Sequence, residues 1–360
     1  MTSRADILAR ADALRAHFIA AGAQPVETPV LQPAETLLDL YGEEIRGRAY
    51  VTSDALRGEQ MLRPDFTVPV VEMHMAHGAE PARYTYAGEV FRRQEQDPTR
   101  ANEFFQVGFE IFERADPSVS DAEVYASLAE IMAPLDLRAA TGDIGILMAA
   151  VRGLHTTEAR KAALMRHIWR PRRFRALLDR YAGRVEPSKT RLALLAGEFE
   201  PTGAAHIGRR SQAEIDARVA LLREDAALPP LSKGEMELFD ALLNVRETLP
   251  FAFQQLRDLA VDMPAISVAL SAFEARLEAL SARGVEVDSL PFEASYGRTS
   301  MEYYDGFVFG FYSPDRPDLP PIATGGRYDA LTRRLGAGRE IPAVGGVLRP
   351  DLMLLLEAGA

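Results

Sequence analysis

The sequence predicts an α+β fold, with a mostly antiparallel sheet flanked by helices and interrupted by a helical insertion. Three observations carry this. Strand-like patterning occurs in two separate stretches of the 360-residue chain, residues 50–112 and 285–348. Between them, residues 154–250 turn Ala-, Leu- and Arg-rich with helical periodicity, divided by Pro171, Pro187, Pro229 and Pro230. No internal repeat or low-complexity segment suggests a solenoid or a tail. The expected organisation is a core domain of residues 1–153 and 251–360, with 154–250 inserted into it.

Residues 3–21 read as an amphipathic helix. Ser3 can cap it with Asp6 three residues on, and Ile7, Leu8, Ala11, Leu14, Phe18 and Ile19 form one stripe. Gly22 stops it, and the β-branched run 26–30 containing Pro29 suits an edge or interface strand. The strands expected in 50–112 are punctuated by Pro64, Gly88 and a polar loop at 94–102. A helix over 121–133 and a strand over 143–147 follow. Beyond the insertion, Pro264 opens a helix over 264–283 whose Ile266, Leu270, Phe273, Leu277 and Leu280 share a face, and Gly284 ends it. Strands are expected at 285–292, 302–312 and 342–348, then a closing helix through 352–356.

Composition excludes several chemistries. With no cysteine there is no disulfide, thiolate metal site or cysteine nucleophile. The charged N-terminus lacks the apolar core of a signal peptide, and no apolar run is long enough for a membrane span, which fits a cytoplasmic chain. A net charge of -11 argues against a general nucleic-acid binder. Phosphate-loop, nucleophile-elbow and zincin motifs are absent. His74 and His77 lie three apart but read as helix-surface histidines rather than metal ligands, and no cofactor is expected.

Residues 104–112, FFQVGFEIF, are the most informative. Odd positions Phe105, Val107, Phe109 and Ile111 are apolar and belong in a core, so Gln106 and Glu110 share the opposite face, with Gly108 between them leaving space. That face is either plain solvent alternation or a pocket wall; the aromatics Phe104 and Phe112 beside it favour the pocket. Asp65 and Thr67, two apart, project the same way unless Arg63-Pro64-Asp65 forms a turn. Tyr303 and Tyr304 are the polar-tipped members of an aromatic run, where buried tyrosine is more often simple core. Two carboxylates, an amide, a hydroxyl and tyrosines suit a small ligand with an ammonium or imidazolium group. Arg92, Arg93, Arg100 and Arg327, the last in a GGRYD run, could balance an anionic end. The Gly325-Gly326 pair permits close backbone approach or a tight turn. Eleven Lys or Arg between 160 and 191 face only Asp179 and Glu186, a local excess of +9 that leaves -20 for the rest of the chain. This patch is a solvated face paired with the acidic body, or a contact for an acidic partner or RNA, with an acidic partner preferred.

Together these motifs resemble the class II aminoacyl-tRNA synthetases, most closely histidyl-tRNA synthetase. Thr28-Pro29-Val30 resembles the dimer-forming motif 1, Phe91-Arg92 through Glu110 resembles motif 2, and Glu302-Tyr303-Tyr304 and Ala323–Asp329 resemble the two histidine-specific signatures. Four motifs in co-linear order cover the chain outside the insertion. The resemblance implies a histidine pocket at Asp65, Thr67, Arg100, Gln106, Glu110, Tyr303 and Tyr304, with Arg92 at a vestigial nucleotide contact.

Departures from the pattern bear on activity. Thr299 stands where the synthetase has an arginine, with Arg298 one step away and turned off by strand parity. Leu352 replaces the motif 3 arginine, Arg349-Pro350 replaces small and apolar residues, and Gln94 and Glu95 replace an acid and a base. Each loss removes stabilisation of a phosphoryl transition state, typically a few kcal/mol. The chain also ends where an anticodon-binding domain is expected to begin. A kept amino-acid pocket with a degraded ATP site resembles the synthetase paralogues that act as regulatory subunits of ATP phosphoribosyltransferase. That resemblance implies a non-catalytic partner of the short catalytic subunit in the first step of histidine biosynthesis, a self-dimer through motif 1, and histidine as feedback effector, with neither membrane nor tRNA as partner. The alternative is a truncated synthetase-like enzyme that still forms histidyl-adenylate.

Overall fold

The structure, a computed structural model, describes residues 3–41, 45–94, 100–198, 208, 210–298 and 303–359. Its centre is a nine-stranded sheet in the order Gln24–Pro25, Ala82–Phe91, Glu103–Phe112, Ala343–Leu348, Ala323–Arg327, Phe307–Tyr312, Arg138–Asp143, Pro291–Glu293, Arg246–Thr248. All pairings are antiparallel except Gln24–Pro25 with Ala82–Phe91 and Arg138–Asp143 with Pro291–Glu293. A separate three-stranded sheet joins Leu31–Pro33, Gly58–Leu62 and Val51–Asp54.

The first helix, Arg4–Ala20, has the expected capping box of Ser3 and Asp6 and buries Ala11, Leu14 and Phe18. Phe18 stacks on Phe109 at 4.9 Å, so the odd face of Glu103–Phe112 is covered by this helix. Helix Pro117–Met132 covers the same side of the sheet further along, where Tyr125 meets Phe309 edge-on at 5.3 Å. Buried on this side is an ionic network: Arg276 reaches Asp121 at 3.2 Å and Asp143 at 2.5 Å, and Arg327 reaches Asp121 and Asp329. Arg327 therefore holds the fold together and does not face the cleft.

Several elements differ from expectation. The 26–30 run is not a strand but links two short ones, Gln24–Pro25 and Leu31–Pro33. Residues 143–147 begin the helix Ile144–Gly153, because the Asp143 carboxylate accepts from the Gly145 N–H at 2.9 Å and starts a helix buried nearly all round. Residues 67–77 form a helix inside the expected strand region, and its His74 is buried, stacked on Phe112 at 4.0 Å and hydrogen-bonded to Tyr84 at 3.0 Å. His77 alone is exposed. Of the 285–292 strand only Pro291–Glu293 forms. Gly325 and Gly326 make no turn; they lie within a strand, where a Cβ on Gly325 would come 2.3 Å from the Phe309 ring and 2.5 Å from the Gly345 carbonyl.

Among the described residues, 158–243 hold five helices, with breaks near Pro171, Pro187 and Pro229-Pro230. Much of the basic patch is engaged within this segment. Arg160, buried, reaches Asp225 at 2.7 Å; Arg191 also pairs with Asp225, Arg175 and Arg184 with Asp179 and Asp240, and Lys161 with Glu158. Among the described residues no helix is long and apolar enough to cross a membrane, and no group of three or more His, Asp or Glu side chains could hold a metal ion.

Candidate functional site

The even face of Glu103–Phe112 opens on a cleft made of two adjoining chambers. The deeper one, about 400 Å³, has Asp65, Thr67, Gln106, Tyr303 and Tyr304 in its wall. The outer one is about 870 Å³ and shares Asp65, Arg92, Arg100, Phe104 and Arg349 with it.

Asp65 sits in the bend between strand Gly58–Leu62 and helix Thr67–His77. Its Oδ1 accepts from the Val68 N–H at 3.2 Å, which fixes the carboxylate at the helix start. Asp65 and Thr67 thus converge through this cap geometry, not through strand parity. Burial raises the Asp65 pKa above the usual carboxylate range, with Arg92 opposing. Its Oδ2 and the Oε1 of Gln106 are buried acceptors with no donor within 3.5 Å among the described residues, and the equally unpartnered Tyr41 hydroxyl lies near enough to Asp65 to lower its pKa. Such orphaned acceptors are rare and costly in folded proteins.

Glu110 lies one layer behind this wall. Its carboxylate accepts from Tyr328 at 2.5 Å, Tyr86 at 2.7 Å and Thr67 at 3.1 Å, and burial pushes its pKa up to about 7. The space that Gly108 leaves is taken by Tyr86, its cross-strand partner, whose ring a Cβ there would meet at 2.0 Å. Gly345 performs the same service for the acid: its Cβ would lie 1.4 Å from Glu110 Oε2. Phe66 stacks on Tyr86 at 4.3 Å and carries the Arg63 guanidinium at 3.9 Å on its ring.

Tyr303 and Tyr304 are buried, on the turn before strand Phe307–Tyr312 rather than within it. The Trp169 indole N–H donates to the Tyr304 carbonyl at 3.1 Å, tying this turn to the 158–243 helices. Arg298 is buried too, but its Nε donates to the Ile168 carbonyl at 2.7 Å and its guanidinium lies 4.6 Å over Phe174. Burial pushes its pKa down to about 10. Its displacement from the cleft follows from the turn at Gly297, φ +83, and not from strand parity. Thr299, Glu302 and Glu95 lie outside the described residues.

At the mouth, Arg92 donates to the Pro64 carbonyl at 2.7 Å, and Leu352 faces the outer chamber. Sequence reasoning missed Tyr41, Tyr86, Tyr328 and Arg316 as parts of the cleft and its support. For Tyr86 a clue existed in the facing Gly108; for Tyr328, in the GGRYD run.

A sequence profile described as histidyl-tRNA synthetase matches residues 5–223 and 204–352. An ATP phosphoribosyltransferase regulatory subunit of Brucella anthropi is 32% identical over 369 residues, covering 96% of each chain. Its counterpart in Brucella ovis is 32% identical over 355 residues, covering 93% of each. This chain belongs to the histidyl-tRNA synthetase-like family of ATP phosphoribosyltransferase regulatory subunits. The class II fold is shared with solved structures of the family. One, an ATP phosphoribosyltransferase regulatory subunit/histidyl-tRNA synthetase from Bacillus halodurans, has a TM-score of 0.69 at 23% identity, covering 98% of this chain and 79% of that one. A histidyl-tRNA synthetase from Nostoc sp. PCC 7120 has a TM-score of 0.64 at 18% identity, covering 98% and 72%. Membership in the regulatory-subunit family places the chain in histidine biosynthesis.

Proposed function

We propose that this chain is a non-catalytic regulatory subunit of ATP phosphoribosyltransferase that activates a short catalytic subunit and carries histidine feedback inhibition. The observation that supports the histidine site is the pair of orphaned acceptors, Asp65 Oδ2 and Gln106 Oε1, in a chamber that arginines also line. In this reading the α-ammonium donates to Asp65 and Gln106, and Tyr303 and Tyr304 flank the imidazole. Arg100 meets the carboxylate, and Glu110 sets the polarity of the floor through Thr67. Arg92, with its Nε occupied by Pro64, is a vestige of a nucleotide contact.

Residues 1–153 and 251–360 form the ligand-binding core in this proposal, with 154–250 as the insertion. Self-association through the motif 1 region is supported by the exposed apolar Leu31 and Val51 on the small sheet and Val30 just before it. Histidine shifts the catalytic partner only by binding one assembly state better than the other, since equal affinity for both shifts nothing.

The test is a phosphoribosyltransferase assay of the short catalytic subunit with and without this chain, repeated with histidine, alongside calorimetry on Asp65→Asn. Activation by the chain, its reversal by histidine, and loss of histidine binding in the variant are expected. Robust histidine-dependent ATP–pyrophosphate exchange by the chain alone would refute the non-catalytic reading.

A further inference from the structure

Arg349 stands at the junction of the two chambers and in the wall of both. It follows strand Ala343–Leu348 directly, and its backbone N–H donates to the Ile322 carbonyl at 2.9 Å. The guanidinium carbon lies over Phe104, 3.9 Å from the ring centre, while Arg92 approaches the same ring at 5.5 Å. One of its terminal nitrogens donates to Asp351 at 2.8 Å. Its Nε is buried without an acceptor among the described residues. The side chain is therefore held in place with a donor still to be used.

Arg92, Arg100 and Arg349 all line the deep chamber, and burial lowers the Arg349 pKa, with the paired Asp351 opposing this and the other two cations adding to it. An anion brought among the three eases the repulsion between them. The same chamber also presents the orphaned acceptors of Asp65 and Gln106. Buried acceptors and cations lining one chamber match a zwitterion, which carries an ammonium and a carboxylate a few bonds apart.

We propose that Arg349 reads the free α-carboxylate of the amino acid in the deep chamber, so that the site selects the acid over its alcohol, ester or amide. This rests on the histidine-site reading above and adds to it, beside Arg100, a second cation on the carboxylate, already held in place. Arg349 is a ligand-specificity residue here, with its forked donors fixed by Phe104 and Asp351 before the ligand arrives.

The experiment is calorimetry on the full chain with L-histidine and L-histidinol, the latter carrying a hydroxymethyl group in place of the carboxylate. Arg349→Gln is expected to weaken histidine about tenfold to a hundredfold, as for loss of a charge-assisted hydrogen bond, and to leave histidinol affinity within about twofold. Arg349→Lys, which keeps the cation but not the fork, is expected to lie between and also serves if the Gln variant does not fold. Unchanged histidine affinity in both variants, or equal weakening of both ligands, would overturn the assignment to Arg349 while leaving the histidine site standing. Wild-type protein that binds neither ligand would overturn the site itself, and the role of Arg349 with it.

Discussion

Gly345→Ala is a single-methyl perturbation with a calculable target. The added Cβ falls 1.4 Å from Glu110 Oε2, 2.3 Å from its Cδ and 3.0 Å from the Phe109 carbonyl. Glu110 is not the free end of a flexible side chain; three hydroxyls hold it, and Tyr328 on Oε2 is the nearest at 2.5 Å. Moving the acid aside orphans at least the Tyr328 hydroxyl, at about 1–3 kcal/mol. Overpacking the strand adds about 1–3 kcal/mol. The variant should therefore lose about 2–6 kcal/mol in urea denaturation followed by circular dichroism. Glu110→Ala removes the obstacle. In that background the two closest contacts are gone and the Phe109 carbonyl at 3.0 Å is the next, so the cost of the methyl should fall by about 2 kcal/mol or more, a coupling read directly from a double-mutant cycle. Equal costs in the two backgrounds would refute the claim that Gly345 exists to clear room for the acid.

Two further outcomes follow from buried charge. Burial raises the Glu110 carboxyl to about 7, so the folded chain keeps a proton that the unfolded chain releases near its ordinary value of 4.5. The stability this group contributes is thus greatest at low pH and declines as pH rises from about 4.5 through about 7. Glu110→Gln should flatten that decline in denaturation midpoints; Asp305, also raised to about 7 by burial and by Asp329, leaves a residual slope. Identical slopes for variant and wild type would sink the assignment. On the far side of the sheet, Arg276→Ala leaves the buried Asp143 carboxylate without its 2.5 Å partner and should cost about 3–5 kcal/mol, whereas a loss under about 1 kcal/mol in thermal or urea melts would mean that the network is dispensable.

Glu103–Phe112 was legible because it is a regular central strand, where parity alone assigns each side chain a face. The meaning of Gly108 was not legible, since the group that fills its space, Tyr86, comes from cross-strand register, which one strand cannot reveal. Asp65 and Thr67 were paired correctly on a wrong premise: a helix start brings them together, and residues 67–77 lack the polar alternation that distinguishes a buried helix from a strand. The same ambiguity misassigned 143–147, an apolar run whose Asp143 cap was the better guide. Arg327 looked available to a ligand because its buried partner Asp121 lies far away in the chain. Arg349 was noticed only as a departure from the family pattern; the neighbours that define its surroundings, Phe104 and Arg92, are contributed by another part of the fold.

The hydrogen bond from Trp169 to the Tyr304 carbonyl has a consequence for how the molecule is assembled. With Arg298 gripping the Ile168 carbonyl in return, the tyrosine wall depends on residues encoded well over a hundred positions earlier. The cleft is thus a late product of folding, completed only when contacts of large sequence separation have closed. Trp169 is the sole tryptophan, so its fluorescence reports that closing step from inside the seam. A small molecule that fills the cleft binds only the finished chain, and by mass action it holds both the sheet and the helical block in their folded state.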